Sequence, residues 1–298
     1  MSGHLPSGDR VPGPSPAVPV RFGLGVPNGG DFADPWRLVE LARTAERAGW
    51  DGFFLWDHVI RRAPWQPMVD PWVVLAAVAS STEQLVLGPM VTPLARRRVS
   101  VVARQTATLD RLSKGRLRLG VGLGAPDDEF TRFGESADPK VRAAVLDESL
   151  EVLEALWTGE PVEFRGRHVT ADGVQFLPRP TRGRVPIWVA GVWPGGAPFR
   201  RAARFDGVWP IAGHGGELSV DEFAACVEAV RAHRIGERAD ERGAAPFDAC
   251  CMGRDPSVER LGALHDAGLT WWIESLDDPE VPFDAHLAHV AAGPPTLT

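Results

Sequence analysis

From residue 22 to the C-terminus, short apolar runs alternate with longer stretches whose apolar positions recur every three or four residues. A period of two marks a strand and a period near 3.6 marks a helix, so the alternation predicts repeated strand–loop–helix units. In the first unit "RFGLGV" (21–26) is the strand. Asp34 and Pro35 then supply an N-cap and a first-turn proline, and a stripe of Leu38, Leu41, Ala42 and Ala45 is closed by Gly49. The second unit repeats the design, with strand "GFFLW" (52–56) and a helix opened by Asp70 and Pro71. Strand "QLVLGPM" (84–90), a helix over 100–112 and strand "RLRLGVGLG" (116–124) follow, and a fourth helix covers 141–157. Residues 160–184 break the rhythm with alternation and glycine turns, which predicts an inserted hairpin and loop. The rhythm resumes with strand 185–190, helix 198–204, strand 206–210 and helix 220–234. Strand 246–252 with helix 257–266, then strand 269–274 with helix 281–291, complete the chain.

Eight strand–helix pairs in this length are expected to close as an α/β fold of the (β/α)8 TIM-barrel type, with the inserted hairpin after the fourth helix. A doubly wound dinucleotide fold is disfavoured, because "GVGLG" (120–124) is not GxGxxG and follows a fourth strand. In that strand Leu117, Leu119, Val121 and Leu123 share one face and Gly120, Gly122 and Gly124 the other. Helices would cover the leucine face, so the glycine face would line the barrel near its C-terminal mouth and leave room for a flat ligand. The expected organisation is one barrel domain over 21–298, preceded by a disordered tail over 1–20 that is rich in Pro, Gly and Ser.

Composition narrows the function classes. A net charge of −7 leaves no broad basic surface for nucleic acid, and the longest apolar run, 71–79, is well short of a membrane span. Three cysteines, two of them adjacent, suit reduced thiols in a cytoplasm rather than a disulfide framework. The apolar helix over 72–79 is greasier than one buried face requires, which predicts a homodimer through it.

The candidate chemistry gathers at strand ends. "GFFLWDHVI" (52–60) reads as a buried strand ending on Asp57 and His58, two groups that are costly to bury unpaired. At the C-terminal rim of a barrel His58 can act as a general acid or base and Asp57 can orient or charge-stabilise a site; otherwise the acid caps loop amides beside a half-exposed imidazole. In "VAGVWPGGAPFRRAARF" (189–205) free amides at a helix start can hold a phosphate, or Arg200, Arg201 and Arg204 form a solvated face. "ARRRV" (95–99) reads as a solvated basic turn or a second phosphate contact. Trp56, Trp188, Trp193, Trp209, Trp271 and Trp272 suggest an aromatic wall at the mouth, with core filling as the plainer account. His286 and His289 near Asp284 lack a third ligand nearby in sequence, so no metal site is expected.

Together, "AERAGWDGFFLWDH", "LVLGPMVTPLARRRVSVVARQTATLDRLSKGRLRLGVGLG", "VLEALWTGEPVEFRG" and "PIWVAGVWPGGAPFRRAARFDGVWP" resemble the luciferase-like flavin-dependent monooxygenases and F420-dependent reductases. The resemblance runs from about residue 21 to the C-terminus. It implies a (β/α)8 barrel whose His58 and Asp57 stand beside the reactive face of a flavin or deazaflavin, His58 assisting proton transfer and Asp57 positioning it. It also implies a non-proline cis peptide in the turn at Gly88, Pro89 and Met90. Cofactor contacts are implied at Pro89, Met90, Thr92, Gly122, Gly124, Ala190, Gly191 and Trp209. Where bacterial luciferase carries an arginine for the FMN phosphate this chain has Leu123, as in the F420 branch. The first expectation is a monooxygenase using reduced FMN, supplied by a separate flavin reductase, and O2 on a small organic substrate. The alternatives are an F420-dependent hydride-transfer enzyme and a flavin-binding relative without catalysis.

Overall fold

The computed structural model describes residues 19–237, 246–254 and 256–296, so most of the expected tail lies outside the described residues. Two helices start where the sequence places their caps, at Asp34 and Asp70, and the one expected over 141–157 begins earlier, at Pro139 after a third Asp-Pro pair. The Asp34 carboxylate accepts from the backbone N–H of Trp36 at 2.8 Å, Asp70 from Val73 at 2.9 Å and Asp138 from Lys140 at 2.8 Å, each with proline in the first turn. Gly49 ends the first helix at φ 92°, a left-handed position that favours glycine.

In chain order the elements are β1 (Arg21–Val26), α1 (Pro35–Ala48), β2 (Gly52–Leu55), α2 (Pro71–Ser81), β3 (Val86–Pro89), β4 (Thr92–Pro93) and α3 (Val99–Leu112). They continue with β5 (Leu119–Gly122), α4 (Asp128–Thr131), α5 (Pro139–Trp157), β6 (Val162–Arg165), β7 (Thr170–Val174) and β8 (Ile187–Trp193). The last are α6 (Ala197–Ala202), β9 (Gly207–Ala212), α7 (Val220–Glu237), β10 (Asp248–Gly253), α8 (Val258–Asp266), β11 (Trp271–Ser275) and α9 (Phe283–Ala291). Nine strands form one parallel sheet in the order β3-β2-β1-β11-β10-β9-β8-β5-β4. Since β3 and β4 are two pieces of one stave, this is the expected eight-fold barrel. Closure runs through Leu87, whose N–H donates to the Arg116 carbonyl at 3.2 Å and whose carbonyl accepts from Arg118 at 2.9 Å. A Cβ on Gly88 would overlap the Arg118 carbonyl, so only glycine lets the two staves approach this closely. The predicted insertion is the antiparallel pair β6–β7.

Two layers of side chains fill the fold. Outside the sheet, Leu24, Phe53, Leu87, Leu119, Val121 and Ile187 pack under the helices; inside it, Phe54, Trp188, Trp271, Ile273 and Cys250 form a separate apolar plug. This separation corrects the expected aromatic wall. Trp188 and Trp271 fill the barrel below the mouth, Trp272 packs outside the sheet and Trp193 stacks on Phe199, so of the six only Trp56 and Trp209 border the mouth. At the barrel floor the Trp188 indole donates to Asp248 at 3.0 Å; burial raises the Asp248 carboxyl above its ordinary value, against the pull of Arg118. Trp72, Val74, Leu75, Val78 and Ala79 of α2 are buried within the chain, leaving Val73 as the exposed apolar side chain α2 can offer a homodimer interface. Among the described residues no helix is long and apolar enough to cross a membrane.

Candidate active site

The C-terminal ends of the staves surround a cavity of about 480 Å³. Trp56, Asp57 and His58 enter it from the end of β2, Met90, Val91 and Pro93 from the β3–β4 stave, and Gly122, Leu123 and Gly124 from the end of β5. Ala190 and Gly191 of β8, Trp209 and Ile211 of β9, and Met252 of β10 close the ring. Alternation holds along β5 as far as Gly122; beyond the strand Leu123 packs against the outer core and also borders the cavity, and Gly124 turns to φ 81°. The peptide between Met90 and Val91 is cis and non-proline, at the far edge of the expected Gly88–Met90 turn.

His58 is held by a residue that sequence reasoning missed. Glu129, in the one-turn helix α4, is fully buried. Its Oε1 accepts from the backbone N–H groups of Val59 (3.2 Å) and Ile60 (3.3 Å) and lies 3.0 Å from His58 Nδ1, while Oε2 accepts from Arg96 at 2.7 Å. An ionised carboxylate paired with an arginine only accepts, so His58 Nδ1 carries the proton and donates it. That leaves Nε2 as the ring nitrogen not engaged by Glu129. The imidazole is partly exposed at the cavity wall, with the Trp56 ring edge-on at 5.4 Å. Its backbone is clamped as well. Asn28, fully buried, donates through Nδ2 to the His58 carbonyl at 2.9 Å and to the Val69 carbonyl at 2.8 Å, pinning both ends of the loop that carries the imidazole.

Asp57 has a different role from the one expected. Its Oδ1 accepts from Arg97 at 2.6 Å and Arg96 at 3.2 Å, and its Oδ2 from the Thr92 hydroxyl at 2.7 Å and the Trp72 indole at 3.2 Å. Four donors saturate the carboxylate, and none belongs to His58; Asp57 ties β2 to the β3–β4 stave and α2, while Glu129 positions the imidazole. Thr92 spends its hydroxyl on Asp57, and neither Thr92 nor Pro89 lines the cavity. Of the expected cofactor contacts, Met90, Gly122, Gly124, Ala190, Gly191 and Trp209 stand in its wall.

The basic segments also resolve. Arg96 and Arg97 form neither a solvated turn nor a phosphate site, because both are largely buried against Asp57 and Glu129, and the two cations balance the two acids. Arg201 is not part of a solvated face: it borders the cavity and binds Asp147 through Nε at 2.5 Å and Nη2 at 2.8 Å. Arg61 and Arg62 line a second depression at the rim with Trp65, Pro126 and Asp128. His289 lies against the Glu274 carboxylate and His286 packs on Phe32, with ring centroids 5.3 Å apart. Among the described residues no three His, Cys, Asp or Glu side chains gather as a metal site.

A family model described as luciferase-like monooxygenase matches residues 17–272. An F420-dependent glucose-6-phosphate dehydrogenase of Nakamurella multipartita is 34% identical over 233 residues, which cover 75% of this chain but only 65% of that relative's length. The F420-dependent tetrahydromethanopterin reductase of Methanopyrus kandleri superposes with a TM-score of 0.72 at 17% identity, over 91% of this chain and 97% of that one. A monooxygenase of Streptomyces bottropensis gives a TM-score of 0.69 at 21% identity, over 91% and 96%.

Proposed function

The chain belongs to the luciferase-like monooxygenase family, and on that premise we propose that it is an F420-dependent oxidoreductase. It would move a hydride between the deazaflavin and a small uncharged alcohol or carbonyl compound, with His58 as the proton partner. This reverses the order of the two cofactor expectations. The relative at 34% identity is named for F420, whereas the monooxygenase at 21% carries the fold alone. Leu123, standing where a luciferase-type FMN site has arginine, agrees with that order. A separate flavin reductase is then unnecessary.

The residues present fit such a ring. A Cβ on Gly122 would come within 3.0 Å of the Val91 Cγ2 atom and 3.7 Å of the Ala190 Cβ, so the glycine keeps this part of the wall flat. Met90, Val91, Gly122, Ala190 and Gly191 would hold it, within the volume range usual for small-molecule sites. When bound, F420 supplies two-electron hydride chemistry. The observation that carries the reading is the His58–Glu129 pair in the wall of this cavity. With Nδ1–H committed to Glu129, Nε2 takes the hydroxyl proton of an alcohol as its carbon gives up hydride, or returns a proton to a carbonyl oxygen in reverse. The apolar walls exclude water from that exchange.

The substrate class follows from charge. Of the charged side chains bordering the cavity, Asp57 is saturated, His58 faces Glu129, and Arg201 is bound by Asp147. A sugar phosphate would leave a dianion against apolar walls, which is costly to bury without a partner. The test is an absorbance titration with F420, FMN and reduced FMN, followed by F420 reduction assays with short secondary alcohols and with glucose 6-phosphate. Tight F420 binding with turnover of neutral alcohols supports the proposal. Preference for reduced FMN with O2 uptake sinks it in favour of a monooxygenase, F420 binding without turnover leaves a non-catalytic binder, and turnover of glucose 6-phosphate alone refutes the charge argument.

A further inference from the structure

Two staves run on past the barrel wall. β8 pairs with β5 as far as Val189, and β9 pairs with β10 as far as Val208. Beyond those residues, among the described residues, the two strands pair only with each other, Ala190 with Trp209, Gly191 with Pro210, Val192 with Ile211 and Trp193 with Ala212. A two-stranded ribbon therefore rises from the mouth of the cavity, and its faces differ. On the outer face α6 covers it, with Trp193 edge-on to Phe199 at 5.1 Å and Gly191 pressed against Pro198. On the inner face, alternation continues Trp188 and Ala190 with Val192, and follows Trp209 with Ile211. Trp188, Ala190 and Trp209 are buried, whereas Val192 is 54% and Ile211 41% exposed. Both border the cavity, so this bare apolar patch is continuous with the wall that Met90, Trp209 and Met252 form.

An exposed apolar patch at the lip of a binding cavity gains free energy when an apolar group covers it. We propose that the ribbon seats the alkyl chain of the substrate, and that Val192 and Ile211 set a preference for secondary alcohols and ketones with an extended chain over short ones. This deepens, and rests on, the reading of the cavity as an F420 and alcohol site. The reacting carbon stands at His58, and the chain leaves along the ribbon. Two residues of strand span roughly 7 Å, so successive carbons add contact over that length and later ones reach solvent. Full burial of a methylene strengthens binding about fourfold, and a chain lying on a one-sided wall keeps about half of that free energy, a factor of about two per carbon.

A homologous series from 2-propanol to 2-decanol, with the matching ketones, measures that factor. On the F420 complex, kcat/KM for the alcohols and Kd for the ketones, read by quenching of tryptophan fluorescence, should improve about twofold per carbon and then level off. In Val192→Thr/Ile211→Thr, which keeps β-branched side chains at both exposed positions, the factor falls toward one. The wild-type series stands on its own if that variant does not fold. A flat wild-type series overturns the proposal, as does a folded double variant that keeps the wild-type factor. Weakened F420 affinity in the double variant with the factor unchanged gives the patch to the cofactor, and loss of a dimer in light scattering with the factor unchanged gives it to a second copy; either result overturns the proposal. F420 turnover with a flat series removes the ribbon's role and leaves the function standing. Should the wild type bind FMN and not F420, a rising ketone series on the FMN complex keeps the ribbon's role while the F420 reading falls, and a flat one sinks both. If it binds neither ring, the same two outcomes are read on the free protein.

Discussion

Removing the Glu129 carboxylate in two steps tests how the imidazole is held. In Glu129→Gln the amide oxygen can keep the three donors now on Oε1, namely the Val59 and Ile60 amides and His58 Nδ1–H. Its NH2 then faces Arg96 Nη1, now 2.7 Å from Oε2, so one charge-assisted bond is replaced by two opposed donors. A hydrogen bond to a charged group is worth about 1.5–3 kcal/mol net, and Arg96 still has Asp57, so the expected loss is about 3 kcal/mol. At roughly 2–4 °C per kcal/mol for a domain of this size, Tm falls by about 6–12 °C. Activity falls less than tenfold, because the tautomer and direction of the ring survive. Glu129→Ala loses all four bonds, frees the ring, and lowers kcat on the order of 10²-fold.

The decisive comparison is a double-mutant cycle. If Glu129 acts through His58, then once His58→Ala has removed the imidazole, adding Glu129→Ala lowers kcat no further. On the proposed function, turnover is followed by F420 absorbance, and folding by circular dichroism on the same preparations. Folded Glu129→Ala with wild-type kcat, or a double variant slower than His58→Ala by the full factor of the single Glu129 change, refutes the positioning argument.

Other consequences follow from the same contacts. Asn28→Ala leaves the His58 and Val69 carbonyls without their shared donor; a loss of about 2–4 kcal/mol is expected, with faster tryptic cleavage at Arg61 and Arg62, and a cleavage rate equal to wild type would refute the clamp. Burial pushes the Cys226 and Cys251 thiols up to about 12 and Cys250 well above its ordinary value, so the folded protein at pH 8 should leave a thiol-reactive dye unchanged until denaturant is added. Prompt reaction of even one thiol would contradict this. Burial lowers the His286 imidazole, so the folded state holds fewer protons than the unfolded one between its depressed value and about 6.5. Stability from this group is complete above that window and declines as pH falls through it; His286→Gln should flatten the fall of Tm below pH 6.5, and an unchanged slope would show that other groups set it.

The parts of this molecule that were legible in the sequence are those with a local period or a local signal. Each Asp-Pro helix start is two adjacent residues, each strand except the two-residue β4 a run of four to seven, and the hairpin an interruption of a regular beat, so the barrel and its insertion follow without knowledge of any long-range contact. His58 was visible because it ends such a run. Its partner was not, since Glu129 stands 71 residues away in "PDDEF", which reads as three solvated acids. "ARRRV" misleads in the same way, since on its own it reads as a solvated basic turn or a phosphate contact. Neither loop has a reason to be buried alone. Barrel closure brings the end of β2, the β4 turn and the start of α4 into one place, and there Asp57 and Glu129 neutralise Arg96 and Arg97. Local pattern therefore fixes where a side chain sits along a stave, while the charge state of its surroundings is a property of the closed barrel. For that reason the expected partner of His58 was its neighbour in sequence, and the observed one is its neighbour in space.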